Sequence, residues 1–310
     1  MHSLAPSLFL PFNADVPAMP TIDELLALEQ MGEHTFVSGN LWGSPAGSKV
    51  FGGQLAGLSL AAAFKTVDSS YVARSMHVQF IKAVVKDAPV VFKVAVVTAG
   101  TRFISRTVHA FQKQALVMQT VCNFLVEQAP DYQAAYQYQK PMPSVAAPGA
   151  SADCPYLLDP QGFPHEFPAK IWVTEMDSDL TTPGPPRQRI WLESPDGLRR
   201  TAQFEQCVVA AYSDVHFLRV IVRPFGIRVM PPPEKLRKLV SIDHHIWFHQ
   251  QADLGKRVLV DTWCPRLGNG RGILQSEMFT HDGRLAVTIV QEGRIEIMPA
   301  ALSGRLQPKL

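Results

Sequence analysis

Between Val50 and Phe64 the chain reads VFGGQLAGLSLAAAF, with small and apolar residues at nearly every position of the helical period. Such a run predicts a helix over 51–67 that is buried on all sides. It opens on Gly52-Gly53, which are among the poorest helix formers, so the pair points to close backbone approach or to an anion site at the helix N-terminus. Beyond it the pattern changes to two-residue alternation rich in Val, Phe, Ile and Thr. That predicts strands at 75–81, 88–98, 103–112 and 116–127. The same order then returns, with a helix over 208–222 and strands at 241–248, 257–264, 272–280 and 285–297. His281-Asp282-Gly283 supplies a hairpin turn between the last two.

Setting Phe111 against Phe279, and Leu116-Val117 against Leu285-Ala286, aligns the final hairpins at a separation of 168 to 169 residues. Ser75-Met76-His77 then falls near Ser241-Ile242-Asp243, and the chain reads as a tandem duplication. Between the copies the prolines crowd together. Eleven of the 25 lie from Pro130 to Pro186, with Gly149, Gly162 and Gly184 among them, which is linker composition. The expected organisation is an N-terminal repeat at 20–128, a linker at 129–188 and a C-terminal repeat at 189–298. The expected class is α+β, each repeat an antiparallel sheet wrapped around one helix, with the two sheets joined edge to edge.

At 310 residues, 46% hydrophobic and 18% charged, the chain is long enough for two such units, each with a core. A formal charge of +2, with no Lys/Arg block interleaved with aromatics, argues against nucleic acid as a partner. No run approaches the ~18 apolar residues of a membrane span. The early SLAPSLFLPF is short, broken by proline and without a basic leader, which makes a poor signal peptide. Cys122, Cys154, Cys207 and Cys264 form no C-x-x-C, so free thiols in a reducing compartment are expected rather than a zinc site or a disulfide framework. A soluble intracellular protein is the expectation, with homo-oligomerisation left open. The closing Pro308-Lys309-Leu310 is a relative of the Ser-Lys-Leu address read by the peroxisomal import receptor, which makes peroxisome the expected location and cytoplasm the alternative.

Hydrolase signatures are sparse. Gly57-Leu58-Ser59-Leu60-Ala61 lacks the last glycine of a nucleophile elbow and lies in mid-helix, so Ser59 reads as core. Gly268-Asn269-Gly270-Arg271-Gly272 matches no phosphate loop and reads as a strand connection, with an anion-binding role left to Arg271 among its amides. His244, His245 and His249 fall in one predicted strand, where His245 and His249 stand about 13 Å apart at ~3.3 Å per residue. They do not share a metal ion there, and they read as histidines with satisfied hydrogen bonds. Asp214 in the second helix, Ser241 at the start of the next strand and Gln291 on the last strand converge at one helix end if the strands wrap the helix. Each also has an ordinary explanation: a helix cap, a strand edge, a solvent-facing amide.

Five motifs carry a resemblance: Phe51-Gly52-Gly53-Gln54, the segment 75–80 with His77, Ala211 to Leu218 (AYSDVHFL), Ser241 to His249 (SIDHHIWFH), and Val290-Gln291-Glu292-Gly293. Together, and in this order over 50–297, they resemble the bacterial thioesterase II and peroxisomal acyl-CoA thioesterase 8 family. The resemblance implies a double hotdog fold and hydrolysis of acyl-CoA to free acid and CoA. It maps the family's Asp, Thr or Ser, and Gln triad onto Asp214, Ser241 and Gln291. It also implies direct attack by water, with Asp214 as general base, Ser241 and Gln291 holding the water, and no metal or other cofactor. Gly53, Gln54, His77 and Arg271 are the substrate-binding candidates, Gln54 a secondary one.

The chain departs from the family pattern at Arg102 (for Ser), Glu193 (for Arg), His245 (for a small residue) and Val84-Val85-Lys86-Asp87 (for a Pro-Gly-Asp turn). These leave the acyl group open: medium to long, branched, or a specialised polyketide-type chain, on CoA or on a carrier protein. Two other functions fit the same fold. An enoyl-CoA hydratase or dehydratase would pair Asp214 with His216, and a non-catalytic module would bind acyl chains without turnover.

Overall fold

The computed structural model describes residues 20–43, 48–126, 136–148, 168–174, 183–195, 201–215, 217–227 and 235–299. The apolar N-terminal stretch, the C-terminal tripeptide, Cys154, His216 and most of the proline-rich segment lie outside the described residues.

The short helix α1 (Ile22–Leu25) is closed by a capping box between Thr21 and Glu24 and leads into strands β1 (Leu28–Gly32) and β2 (Thr35–Ser38). Helix α2 (Gly52–Phe64) then runs through the core with eleven of its thirteen residues buried, as its uninterrupted apolar sequence requires. Strands β3 (Tyr71–Phe80), β4 (Val91–Ala99), β5 (Phe103–Gln112) and β6 (Ala115–Val126) complete the first repeat. The second comprises β7 (Lys170–Val173), β8 (Arg187–Glu193), helix α3 (Ala202–Tyr212), the single turn α4 (Arg219–Val222), and β9 (Leu236–Ser241), β10 (Asp243–Phe248), β11 (Val258–Gly268), β12 (Arg271–Phe279) and β13 (Leu285–Ile297).

The thirteen strands of the described residues form one antiparallel sheet in the order β1-β2-β4-β5-β6-β3-β10-β13-β12-β11-β8-β7, with β9 paired to β13. The repeats meet where β3 lies against β10, and His77 stands opposite His245 there. These positions are 168 apart, so the pair marks the local two-fold axis of the duplication. Ser75 is thereby equivalent to Asp243, two residues on from the Ser241 that the hairpin alignment placed near it. One large apolar cluster runs through both repeats, with α2 and α3 side by side within it. This is the double hotdog arrangement expected from the sequence.

The helices cross closely because α2 presents glycines to α3. A Cβ on Gly53 would lie 2.3 Å from the Ala211 carbonyl oxygen, and one on Gly57 would lie 2.9 Å from that of Cys207. The pairing runs antiparallel, so the N-terminus of α2 meets the C-terminus of α3.

Several expected boundaries shift for physical reasons. α3 begins at Ala202, earlier than expected, because Thr201 caps it and because Gln203 and Gln206 are not solvent-facing. Their side chains bond the backbone of 68–73, Gln206 closing a two-way amide pair with Ala73. It stops at Tyr212, so Asp214 stands in a turn rather than within a helix. The strand expected at 241–248 is two strands broken at Ile242, whose N–H and C=O bond Glu292 and Phe80 on different neighbours. β7 and the first two residues of β8, Arg187 and Gln188, lie inside the segment expected to be a linker. No helix among the described residues is long and apolar enough to cross a membrane.

Candidate active site

Asp214 sits in the turn that follows α3. At the end of that helix the Ser213 hydroxyl oxygen lies 2.8 Å from the Ala210 carbonyl. The stretch that follows is pressed onto the sheet at two cross-strand glycines: a Cβ on Gly293 would meet Leu218 at 2.6 Å, and one on Gly272 would meet Ile221 at 2.7 Å. A larger residue at either place would force the Leu218 or Ile221 side chain to shift.

The N-terminus of α2 faces the same turn. Its N-cap residue is Phe51, which makes no side-chain cap bond, so the first N–H groups of the helix depend on an acceptor from elsewhere. The Asp214 carboxylate is that acceptor, taking the Gly53 N–H, and a Cβ on Gly52 would stand only 2.8 Å from its Oδ2. The two glycines thus admit a carboxylate of the other repeat to the positive end of α2.

Gln291 lies on β13 beside the break between β9 and β10, and it is completely buried. Its Nε2 donates to Ser241 Oγ at 2.6 Å, and the same side chain hydrogen-bonds Asp214. Its Oε1 faces His244 Nδ1 at 2.7 Å, and His244 Nε2 lies 2.7 Å from Ser213 Oγ. A continuous chain of hydrogen bonds therefore links Ser241, Gln291, His244 and Ser213, with Asp214 attached through Gln291. Burial pushes the Asp214 carboxyl up to about 7, against the lowering effect of Gln291 and Gly53. Burial pushes His244 down to about 4, so its imidazole is neutral near pH 7.

Of the residues singled out from the sequence, Asp214, Gln291, Ser241 and Gly53 come together here. Gln54 does not: its side chain accepts from Trp42 N–H and donates to the Leu25 and Asn40 carbonyls, tying α2 to the first loops. His77 lies on the other face of the sheet, its Nδ1 2.8 Å from His245 Nδ1. Arg271 opens β12 directly after the Asn269-Gly270 turn, both of whose residues have positive φ, and it forms an ion pair with Glu292 at 2.9 Å. Sequence reasoning read His244 as a histidine with satisfied hydrogen bonds, which it is, but did not connect it to this site. Ile246 and Phe248 are apolar and share its side of β10, and that alternation could have marked it as a histidine facing the core. Glu193, where the family resemblance expects the opposite charge, has cationic neighbours in Lys170 and Arg257.

Residues 40–125 match a family described as the acyl-CoA thioesterase N-terminal domain, and residues 140–295 match its C-terminal domain. Human acyl-coenzyme A thioesterase 8 is 29% identical over 304 residues, covering 92% of each chain. The crystal structure of an acyl-CoA thioesterase II, TesB2, from Mycobacterium marinum superposes with a TM-score of 0.72 at 25% identity, covering 93% of this chain and 99% of that one. A protein from Alicyclobacillus acidocaldarius described as having a hot dog fold gives 0.71 at 16% identity over 88% and 97% of the two chains, a likeness of fold alone.

Proposed function

Because this chain belongs to the acyl-CoA thioesterase family, whose members are thioester hydrolases, we infer that it cleaves acyl-CoA to free acid and CoA with Asp214 as the general base. The observation that carries this reading is the buried Asp214 carboxylate held by Gln291 and by the Gly53 N–H, with Gln291 also holding Ser241 at 2.6 Å. A water between Asp214 and Ser241 gives one proton toward the carboxylate and the other toward the serine oxygen. One of its lone pairs is then free for the thioester carbon. As the C–O bond forms, Asp214 takes the proton, negative charge gathers on the carbonyl oxygen, and collapse expels the CoA thiolate. The first-turn amides of α2 are the stabilisers nearest at hand for that charge. A base titrating near neutrality is suited to this work, since it is about half ionised at pH 7, largely ionised at pH 8, and still binds a proton strongly.

Medium- to long-chain, branched or polyketide-type acyl groups are the substrates we propose, supported by the apolar surroundings of α2. The test is thiol release from a panel of acyl-CoA esters, measured from pH 5 to 9 on the native chain and on Asp214→Asn. Native turnover should rise with pH through about 7. The variant should lose about a hundred- to ten-thousand-fold, as expected for removal of a general base. Undiminished turnover in Asp214→Asn would refute the role given to this residue.

A further inference from the structure

The hydrolytic role just described leaves His244 unused, although it is fully buried and touches the site. We propose that His244 is a positioning residue for hydrolysis, holding the Gln291 amide in the one orientation that aims its NH2 group at Ser241 and Asp214. The proposal rests on the reading of Asp214, Ser241 and Gln291 as the hydrolytic set, and it asks what makes that set work.

An amide can be turned end for end with little change of shape, so its orientation is decided by its partners. Gln291 Nε2 donates to Ser241 Oγ, which leaves Oε1 facing His244 Nδ1 at 2.7 Å. A carbonyl oxygen only accepts, so Nδ1 carries the imidazole proton. The neutral ring then has a bare Nε2, and the group within reach of it is the Ser213 hydroxyl at 2.7 Å. Ser213 has one proton and two acceptors, Nε2 and the Ala210 carbonyl at 2.8 Å. Nδ1 already points its proton at Gln291 Oε1, so Nε2 must accept, and the Ser213 proton goes to it. Ser213 and Gln291 thus hold the ring in one tautomer between them, and that tautomer holds the amide.

The opposite arrangement shows what is at stake. With the proton on Nε2, Gln291 would turn its NH2 to His244 and its oxygen toward the Asp214 carboxylate. Two acceptors would then face each other beside the buried charge, and the charge-assisted bond that favours the ionised base would be lost. The titratable groups that bear on His244 are Asp214 through Gln291, Asp243 and His245 on its own strand, and His77 across from His245. Neither strand neighbour lies on its face of the sheet, because side chains alternate.

The duplication supplies a suitable variant. The offset that takes His77 to His245 takes Met76 to 244, and the hairpin offset of 169 takes Cys122, which lies opposite Met76, to 291. Met76 and Cys122 are both fully buried, so the fold accommodates a thioether at this position. His244→Met therefore removes the donor while installing what the first repeat carries. His244→Asn keeps an N–H close to the place of Nδ1.

Turnover and its pH dependence are measured for both variants, beside Asp214→Asn. His244→Met should lower kcat by about ten- to a hundred-fold, the scale on which a misplaced group slows an enzyme, with KM changed less than about threefold. The acid limb of kcat should move to higher pH, since Gln291 no longer favours the ionised Asp214. His244→Asn should recover at least about tenfold in kcat and return the limb toward its native position. A packing role alone would leave the limb in place and make the two variants equally slow, and either result overturns the proposal. If His244→Met fails to fold, the nitrogen-15 shifts of the native imidazole decide: a protonated Nδ1 supports the assignment and a protonated Nε2 overturns it. Full activity in Asp214→Asn would instead sink the hydrolytic reading, and the tautomer measurement would still judge His244 by itself.

Discussion

Burial opposes ionisation of Asp214, while the Gln291 amide and the Gly53 N–H favour it, and burial prevails to leave the carboxyl at about 7. The same balance bears on stability. Between the ordinary value of 3.8 and about 7 the folded chain binds more protons at this group than the unfolded chain does. The contribution of Asp214 is therefore fully favourable below about pH 4 and is lost as pH rises through 7. A difference of this size corresponds to about 4 kcal/mol of destabilisation above pH 7, before relaxation of the site is allowed for. Asp214→Asn cannot ionise, so urea unfolding should find it gaining on the native chain as pH goes from 5 to 8. His244 titrates in the opposite sense but is present in both proteins, so it cancels in the comparison. A stability difference that stays constant from pH 5 to 8 would mean that Asp214 is not the buried, late-ionising group described here.

The element most sensitive to a single atom is the N-terminal turn of α2. Gly53→Ala gains about 1 kcal/mol of helix propensity, yet its Cβ would stand 2.3 Å from the Ala211 carbonyl oxygen. Overpacking against fixed backbone costs about 1–3 kcal/mol or more, so the clash wins. The helices must separate, and the Gly53 N–H leaves the Asp214 carboxylate. Chemical denaturation should show a less stable protein, and turnover at pH 7 should fall with it. A variant as stable and as fast as the native chain would show that α2 and α3 do not depend on this contact. The same turn shows what the sequence could convey. Gly52-Gly53 announced either close backbone approach or an anion site, and both hold, but the anion is a side chain about 160 positions away, which no local pattern reveals. Strands with one buried face were legible because alternation records burial: β5 and β13 begin and end where expected. The ends of α3 were not, because Gln203 and Gln206 look solvated in the sequence while bonding the backbone of the other repeat. His244 shares the buried side of β10 with two apolar residues, yet its role depends on partners 31 and 47 positions away.

At the scale of the whole molecule, duplication has produced two structurally equivalent places with different chemistry. Asp214, Ser241, Gln291 and His244 come from the second repeat, the Gly53 N–H comes from the first, and the first repeat's counterparts of Gln291 and His244 are Cys122 and Met76. One site in each chain thus draws on both repeats, across a junction made by the β3–β10 ladder and by the α2–α3 contact. Most of their buried apolar side chains belong to one cluster that spans both, so opening either repeat would expose the core of the other. Calorimetry of the intact chain should accordingly show one cooperative transition, its calorimetric and van't Hoff enthalpies in agreement. Thioesterase activity should disappear along the same curve. Two resolved transitions, or activity that persists after one repeat has melted, would mean that the repeats are separate folding units and that the Gly53–Asp214 contact is dispensable. Coincidence of the curves would follow if α2 of one repeat is a working part of the site carried by the other.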